Sequence, residues 1–150
     1  NLTKFLLDKA GQVISIEKDE QFVPILNSLK KKYKTFSYIH QDVLQVDLEK
    51  LTEEYTNYKV VANIPYYVTG KIIQKFLAVE NKPTSMTLLM QKEVAQNLTA
   101  KPGSLNLLAI SVQLYGTARL VEVVPARNFY PAPKVDSAVV HIELYKKTKI

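Results

Sequence analysis

The sequence predicts an α/β domain whose sheet is mostly parallel, with an antiparallel final strand. Short β-branched runs alternate with segments of helical apolar spacing through most of the 150 residues, the pattern of parallel strands joined by helical crossovers. The last two strand-like runs have no helix between them, so the final strand returns antiparallel, and it is expected on one edge of the sheet. The length is enough to bury one core without disulfides or a structural metal.

The elements follow in order. "NLTKFLLDKAG" (1–11) reads as a helix already under way, with Leu2, Phe5, Leu6 and Lys9 at helical spacing and Gly11 as a stop. "QVISIE" (12–17) is a short apolar strand, and "QFVPILNSLKKKY" (21–33) is a helix with Phe22, Ile25, Leu26 and Leu29 on one face. Pro24 falls in its first turn, where a missing N–H costs nothing. "FSYIHQD" (36–42) is the second strand and, after a polar helix-like stretch, "YKVVAN" (58–63) is the third. "TGKIIQKFLAVE" (69–80) carries an apolar stripe of Ile72, Ile73, Phe76 and Leu77. Strand "SMTLLMQ" (85–91) and helix "KEVAQNLTA" (92–100) come next. "LNLLAISVQLYG" (105–116) is apolar almost all round and is expected to be a buried helix. The strands "TARLVEVVP" (117–125) and "SAVVHIELY" (137–145), joined by "ARNFYPAPKVD", complete the sheet. No internal repeat or low-complexity segment interrupts this order.

Composition removes several classes of function. With no cysteine there is no disulfide framework and no thiolate zinc or redox chemistry, and no metal-ligand set is assigned. No apolar run approaches a membrane span, and the start has no signal-peptide pattern. The expected compartment is the cytoplasm, or an organelle interior after loss of a presequence. The net charge is +6, of which Lys146, Lys147 and Lys149 supply three. A second run, Lys30-Lys31-Lys32-Tyr33-Lys34, reads as a solvated last helical turn favoured by the helix dipole. Charge on this scale permits a nucleic-acid partner without requiring one. Both ends read as cut, since residue 1 is asparagine inside a helical pattern and "LYKKTKI" is a strand fading into charge; a longer parent chain is expected.

In open α/β sheets ligands bind beyond the carboxyl ends of the strands, so the residues ending each strand matter most. Glu17 ends the first strand, Asp42 the second and Asn63 the third. A carboxylate at such a position either holds the two hydroxyls of a bound ribose or is a solvated terminus that caps the next turn. Asn63-Ile64-Pro65-Tyr66 is more specific. An exocyclic base nitrogen is a poor nucleophile because its lone pair is delocalised into the ring. Two oxygens that each accept one amino hydrogen draw it towards a tetrahedral, nucleophilic geometry. Asn63 offers its amide oxygen and Ile64 its carbonyl, with Pro65 fixing the local backbone. Tyr66 can stack on the base, an interaction of roughly 1–3 kcal/mol, and Tyr67 is expected to pack beside it. Phe129 or Tyr130, on the loop stiffened by Pro131 and Pro133, falls at the same sheet end and can clamp the other face of the base. His40 and His141 read as packed or exposed strand residues, not catalytic ones.

Three segments, "VVANIPYYVTGKII", "TLLMQKEVAQNLTAKPGS" and "VPARNFYPAPKVDSAVV", together resemble the ribosomal RNA adenine N6-dimethyltransferases, more narrowly the small-subunit, kasugamycin-sensitivity type. The resemblance covers nearly the whole chain. It implies a seven-stranded Rossmann-like sheet, S-adenosylmethionine as methyl donor, and transfer of two methyl groups to each of two adjacent adenines near the end of small-subunit rRNA. It further implies a cytoplasmic, monomeric enzyme acting on the pre-ribosomal small subunit, with no membrane partner. By position, Glu17 would bind the cofactor ribose with Lys18 beside it, Asp42 the adenine amino group, and the Val43 N–H an adenine ring nitrogen. Asn63, Ile64, Pro65 and Tyr66 would form the target-base site, Asn63 also facing the cofactor, and Phe129 would be the opposing stacker. No general base is needed in that scheme, because methyl transfer neutralises a sulfonium and the proton departs to solvent.

The resemblance also exposes departures. The family's glycine-rich loop is expected before Asn1, together with a Gln/Asn-Phe element, and its helical C-terminal domain after Ile150. Residues 1–150 are thus expected to be a partial catalytic domain with weak or no S-adenosylmethionine affinity, which isothermal titration would overturn by showing micromolar binding. After "KPGS", Leu105-Asn106-Leu107-Leu108 replaces the Lys and Tyr-Gly that relatives carry. The competing readings are a macrolide-resistance-type methyltransferase of large-subunit rRNA, which shares the Asn-Ile-Pro-Tyr turn, and a non-catalytic RNA-binding ribosome-assembly or transcription factor of the same fold. A DNA adenine methyltransferase fits less well, since its turn carries a more acidic residue and a second proline.

Overall fold

The computed structural model describes residues 2–101 and 106–146. Lys147 and Lys149 of the terminal basic run, most of "KPGS" and Leu105 of the departing tetrapeptide lie outside the described residues. The chain divides into two compact units, Asn1–Asp47 and Leu48–Ile150, and the described strands form a separate ladder in each.

The first unit contains α1 (Leu2–Leu7), β1 (Val13–Glu17), α2 (Val23–Lys32) and β2 (Phe36–His40). β1 and β2 pair in parallel, from Val13 opposite Phe36 to Glu17 opposite His40. A short 3-10 turn, Glu20–Phe22, leads into α2; the Asp19 side chain accepts from the Gln21 N–H at 2.9 Å and caps it. Pro24 sits in the first turn of α2, as its missing donor requires. Leu26 and Leu29, three residues apart on one helical face, bury against Leu7 and Phe36, with Val13, Tyr33 and Tyr38 around them.

The second unit contains α3 (Leu48–Thr52), β3 (Lys59–Asn63), α4 (Thr69–Ala78), β4 (Ser85–Gln91), α5 (Lys92–Leu98), α6 (Leu107–Tyr115), β5 (Gly116–Val124) and β6 (Ser137–Leu144). The strand order is β3-β4-β6-β5. β3 and β4 are parallel, and β6 is antiparallel to both its neighbours. β5 therefore runs in the direction of β3 and β4, and only the last strand opposes the rest. The pairs Met86–Ile142, Leu88–Val140 and Met90–Ala138 lie directly opposite one another, and all six side chains are fully buried. With Ile73, Leu98 and Val112 they make up most of the fully buried apolar side chains of this unit.

The described residues hold six strands, in two ladders. Two expectations are corrected. The antiparallel final strand is not on an edge: β6 lies between β4 and β5, and β5 is an edge strand. Ladder position is set by long-range pairing, which the order of segments along the chain does not encode. The second correction concerns α6. Ala109 and Val112 are fully buried, but Leu107 is 75 % exposed, Ile110 43 % and Leu114 39 %. Leu107, Ile110 and Leu114 share one helical face, and α6 packs through its other side on α4, α5 and β5. Apolar composition sets what a helix can bury, not how many of its sides find neighbours. Among the described residues no helix is long and apolar enough to cross a membrane.

A polar cluster closes the approach to β3. The Tyr58 hydroxyl donates to the Asn81 carbonyl at 2.8 Å, and the Asn81 amide donates to the Thr52 and Tyr55 carbonyls. Burial pushes the Tyr58 phenol up to about 12 from an ordinary value of 10, against a lowering hydrogen bond with Thr52 and with a smaller push from the Glu49 carboxylate. The unfolded phenol ionises first as pH rises, so the contribution to stability is complete below pH 10 and is lost towards pH 12. Melting curves across this window are expected to fall less steeply for Tyr58→Phe than for wild type.

Candidate active site

In the second unit the site grows from one buried anchor. Asn63, the last residue of β3, is in register with Leu89, and the Ile64 N–H continues the ladder by donating to the Leu89 carbonyl at 3.3 Å. The Ile64 side chain is 2 % exposed. Successive side chains of an extended backbone point to opposite sides, so burying Ile64 turns Asn63 and Pro65 outward, and both are exposed. Pro65, at φ −57° and ψ 131°, converts the strand into a 3-10 turn, Tyr66–Val68, closed by the Val68 N–H on the Pro65 carbonyl at 3.1 Å. α4 starts directly after it, where Thr69 Oγ1 donates to the Tyr66 carbonyl at 3.3 Å.

Tyr66 is half-buried and its hydroxyl hydrogen-bonds Ser137 Oγ at 2.5 Å. Ser137 opens β6, is fully buried, and lies opposite both Gln91 and Val124. The carboxyl ends of β3, β4 and β5 and the loop before β6 therefore meet at one end of the ladder, as expected for Phe129. That loop is pinned at its root: Asp136 Oδ1 accepts from the Ala126 N–H at 2.9 Å, and the Asp136 carbonyl accepts from the Lys92 N–H at 3.0 Å. Its first turn is a 3-10 segment, Ala126–Asn128, after which the Phe129 N–H bonds the Ala126 carbonyl at 3.1 Å. Phe129 is half-buried, Tyr130 is fully exposed, and the Tyr130–Pro131 peptide is cis. Tyr67, the next residue of the turn, is 77 % exposed. In a 3-10 turn consecutive side chains diverge by about 120°, which accounts for the difference in exposure between Tyr66 and Tyr67.

Ser137 holds the Tyr66 hydroxyl and Asp136 pins the root of the loop before β6, contacts that the sequence alone does not disclose. The local signal is a polar pair just before Ala138-Val139-Val140. Tyr66→Phe is expected to cost about 1–3 kcal/mol of stability, because it deprives a fully buried hydroxyl of its partner. Chemical denaturation of Tyr66→Phe beside Tyr66→Phe/Ser137→Ala checks this, since the double variant removes both groups and should recover part of the loss.

In the first unit the strand-end carboxylates occupy neighbouring positions. Glu17 ends β1 opposite His40, and its Oε1 accepts from the Asp19 N–H at 2.8 Å. Asp42 follows β2, and its Oδ1 accepts from the Leu44 N–H at 2.9 Å. Lys18 Nζ lies 3.9 Å from Asp42 Oδ2, both side chains partly solvated, so the pair contributes little to stability. Both carboxylates thus serve as turn caps. A carboxylate has about four acceptor sites, so capping does not exhaust either one. Two adjacent acceptor groups at the carboxyl ends of parallel strands suit the donors of a nucleoside, its ribose hydroxyls and base amino group. Val43, half-buried, follows Asp42 directly. His40 is exposed, with Nε2 3.3 Å from the Lys18 carbonyl, and His141 bonds Thr87 at 2.9 Å.

Among the described residues, the second unit is an α/β ladder whose last strand is antiparallel, with an asparagine-isoleucine-proline-tyrosine turn at the carboxyl end of β3, an arrangement of the Rossmann-like kind. Solved structures agree. The crystal structure of the 23S rRNA methyltransferase ErmE superposes with a TM-score of 0.85 at 26 % identity, covering 99 % of this chain and 59 % of that one. A dimethyladenosine transferase from Plasmodium falciparum superposes with a TM-score of 0.82 at 26 % identity, covering 97 % and 52 %. The chain belongs to the ribosomal RNA adenine dimethylase family, whose profile matches residues 1–149. It is 44 % identical over 147 residues to a ribosomal RNA small subunit methyltransferase A from Dehalococcoides mccartyi, covering 98 % of this chain and 50 % of that protein. A protein of the same name from Clostridium acetobutylicum is 40 % identical over 151 residues, covering 99 % and 55 %. The chain spans about half the length of the curated relatives it matches.

Proposed function

We propose that residues 1–150 are part of the catalytic domain of an S-adenosylmethionine-dependent enzyme that dimethylates N6 of two adjacent adenines in small-subunit rRNA, a step in ribosome biogenesis. The observation that carries this reading is the Asn63–Tyr66 turn, which presents an exposed amide beside a fixed backbone carbonyl and an anchored aromatic ring. The similarity to proteins named small subunit methyltransferase A supports the choice of rRNA. The enzyme acts in the cytoplasm as a monomer on the pre-ribosomal small subunit.

The roles follow from the chemistry of each group. Asn63 Oδ1 and the Ile64 carbonyl accept the two amino hydrogens of the target adenine and hold its nitrogen lone pair out of ring conjugation. Tyr66 stacks on the extruded base, and Phe129 covers its other face. Glu17 accepts from ribose hydroxyls, with Lys18 alongside, and Asp42 and the Val43 N–H bracket an adenine edge. S-adenosylmethionine, when bound, supplies an electrophilic methyl group on a sulfonium. The chain then needs only to orient the nucleophile, and the displaced amino proton leaves to solvent.

Mass spectrometry of small-subunit rRNA after incubation with the enzyme tests the reading, with N6,N6-dimethyladenosine at two neighbouring positions as the expected product. A product confined to large-subunit rRNA would establish the second reading, which the superposition on the 23S enzyme supports. Unmodified rRNA of both subunits would leave a non-catalytic factor.

A further inference from the structure

The first unit is electrostatically polarised along its strands. Its carboxyl end carries Glu17, Asp19, Glu20 and Asp42, with Lys18 among them. The amino end carries the opposite sign. Lys30, Lys31 and Lys32 fill the last turn of α2, and Lys34 lies just before β2. Asp8, in the turn before β1, is adjacent to Lys9 and adds no net charge there. Five-residue strands separate the two ends by about 15 Å, so no single nucleotide can engage both.

The lysines are held but not neutralised. Among the described residues none of these four forms an ion pair, and all four are exposed. Lys30 Nζ sits 6.0 Å from the Tyr38 ring centroid and Lys32 Nζ 5.3 Å from that of Tyr33, within the range of cation–π attraction. Those rings are themselves fixed. Tyr38 stacks on Phe36 with centroids 6.5 Å apart and donates its hydroxyl to Asn27 Oδ1 at 2.8 Å. Tyr33 packs against the buried cluster, and its N–H closes α2 on the Leu29 carbonyl at 2.8 Å. Successive helical residues are about 100° apart, so three consecutive lysines spread their charge over a broad surface instead of converging on one point. That distribution suits a line of phosphates better than a single anion. A membrane surface fits poorly, because basic helices bind lipid by inserting an apolar face: Leu26 and Leu29 of α2 are buried, and the exposed Phe22 and Ile25 lie at the start of the helix, away from its lysine-bearing last turn.

We propose that the amino end of the first unit, Lys30, Lys31, Lys32 and Lys34 arrayed around Tyr33 and Tyr38, is a docking surface for the phosphate backbone of rRNA. It rests on the reading of the protein as an rRNA-modifying enzyme, and it adds a contact remote from the strand-end carboxylates. The proposed contact is to phosphates, so it contributes affinity without choosing the target adenine.

The test compares wild type with a variant in which all four lysines become glutamine and one in which all four become arginine. Binding to a small-subunit rRNA transcript is measured from 50 to 200 mM salt, with melting curves confirming the fold; these concentrations span roughly the range over which phosphate contacts dominate affinity. Loss of four phosphate contacts is expected to flatten the slope of log K against log salt by about 3, and to weaken binding at low salt roughly 100-fold. The arginine variant should retain the wild-type slope. Wild-type binding with an unchanged slope in the glutamine variant would overturn the docking surface and leave the proposed function standing. Absence of rRNA binding by wild type would overturn both. Lysine-dependent binding to phosphatidylserine vesicles or polyglutamate in place of rRNA would reassign the surface to a membrane or an acidic protein.

Discussion

Asn63→Ala is expected to lower the rate of adenine methylation about 10²–10³-fold, the effect of deleting one preorganised hydrogen-bonding group at a reacting centre. The amide oxygen is one of two acceptors at the turn, and the second, the Ile64 carbonyl, is held by the Ile64 N–H on Leu89 and by the buried Ile64 side chain. Truncating Asn63 leaves that framework intact. Because its side chain is exposed, the melting temperature should move little, in line with surface substitutions worth about 0.5 kcal/mol or less. Rate and stability are therefore expected to separate. Asn63→Asp keeps an acceptor oxygen at the same position and should retain more activity than alanine. Methyl incorporation into rRNA by protein competent for transfer reads this directly, and an alanine variant within about threefold of wild type would falsify the role of the amide.

The largest effect on stability is expected at Gly116, where α6 passes into β5. Its backbone is extended, φ −168° and ψ −170°, so left-handed geometry is not the constraint. The constraint is space. A Cβ built on Gly116 would overlap the Glu143 carbonyl oxygen and lie 2.8 Å from Leu144 Cδ2. The first of these is β6 backbone and cannot rotate away. Gly116→Ala must push β5 off β6 where Gly116 pairs with Leu144, at a cost of about 1–3 kcal/mol or more. For a domain of this size that corresponds to a melting temperature lower by roughly 3–10 °C. Gly11→Ala, where nothing lies within 4 Å of the added carbon, is the control and should melt close to wild type.

Local pattern and long-range pairing divide what the sequence discloses. β4 is readable to the residue as 85–91 because Met86 and the apolar run Leu88-Leu89-Met90 are bounded by Pro83-Thr84 on one side and by the helix start at Lys92 on the other. The Asn63–Tyr66 turn was equally plain, since a proline after a β-branched run has few other uses. The insertion of β6 between β4 and β5, the split into two ladders and the solvent-facing side of α6 were not readable. Each depends on partners distant in sequence. The Tyr66–Ser137 bond spans 71 residues and has no local signature, so the anchoring of the Tyr66 ring is visible only in three dimensions. The roles of Glu17 and Asp42 remained ambiguous for a different reason: a carboxylate that caps a turn and one that awaits a ribose look alike in sequence, and here each does the first without losing the capacity for the second.

The interior place of β6 has a consequence for how the protein is made. Residues leave the ribosome in chain order, so β5 emerges before the strand that gives it its only neighbour in the ladder. Until residue 144 is available, β5 and β4 both present open hydrogen-bonding edges, and Met86, Leu88 and Met90 lack the Ala138, Val140 and Ile142 that lie opposite them. The ladder of the second unit therefore closes only when β6 is available to bridge β4 and β5. For the whole interval before that closure a nascent chain carries the exposed strand edges most prone to pairing with the wrong partner.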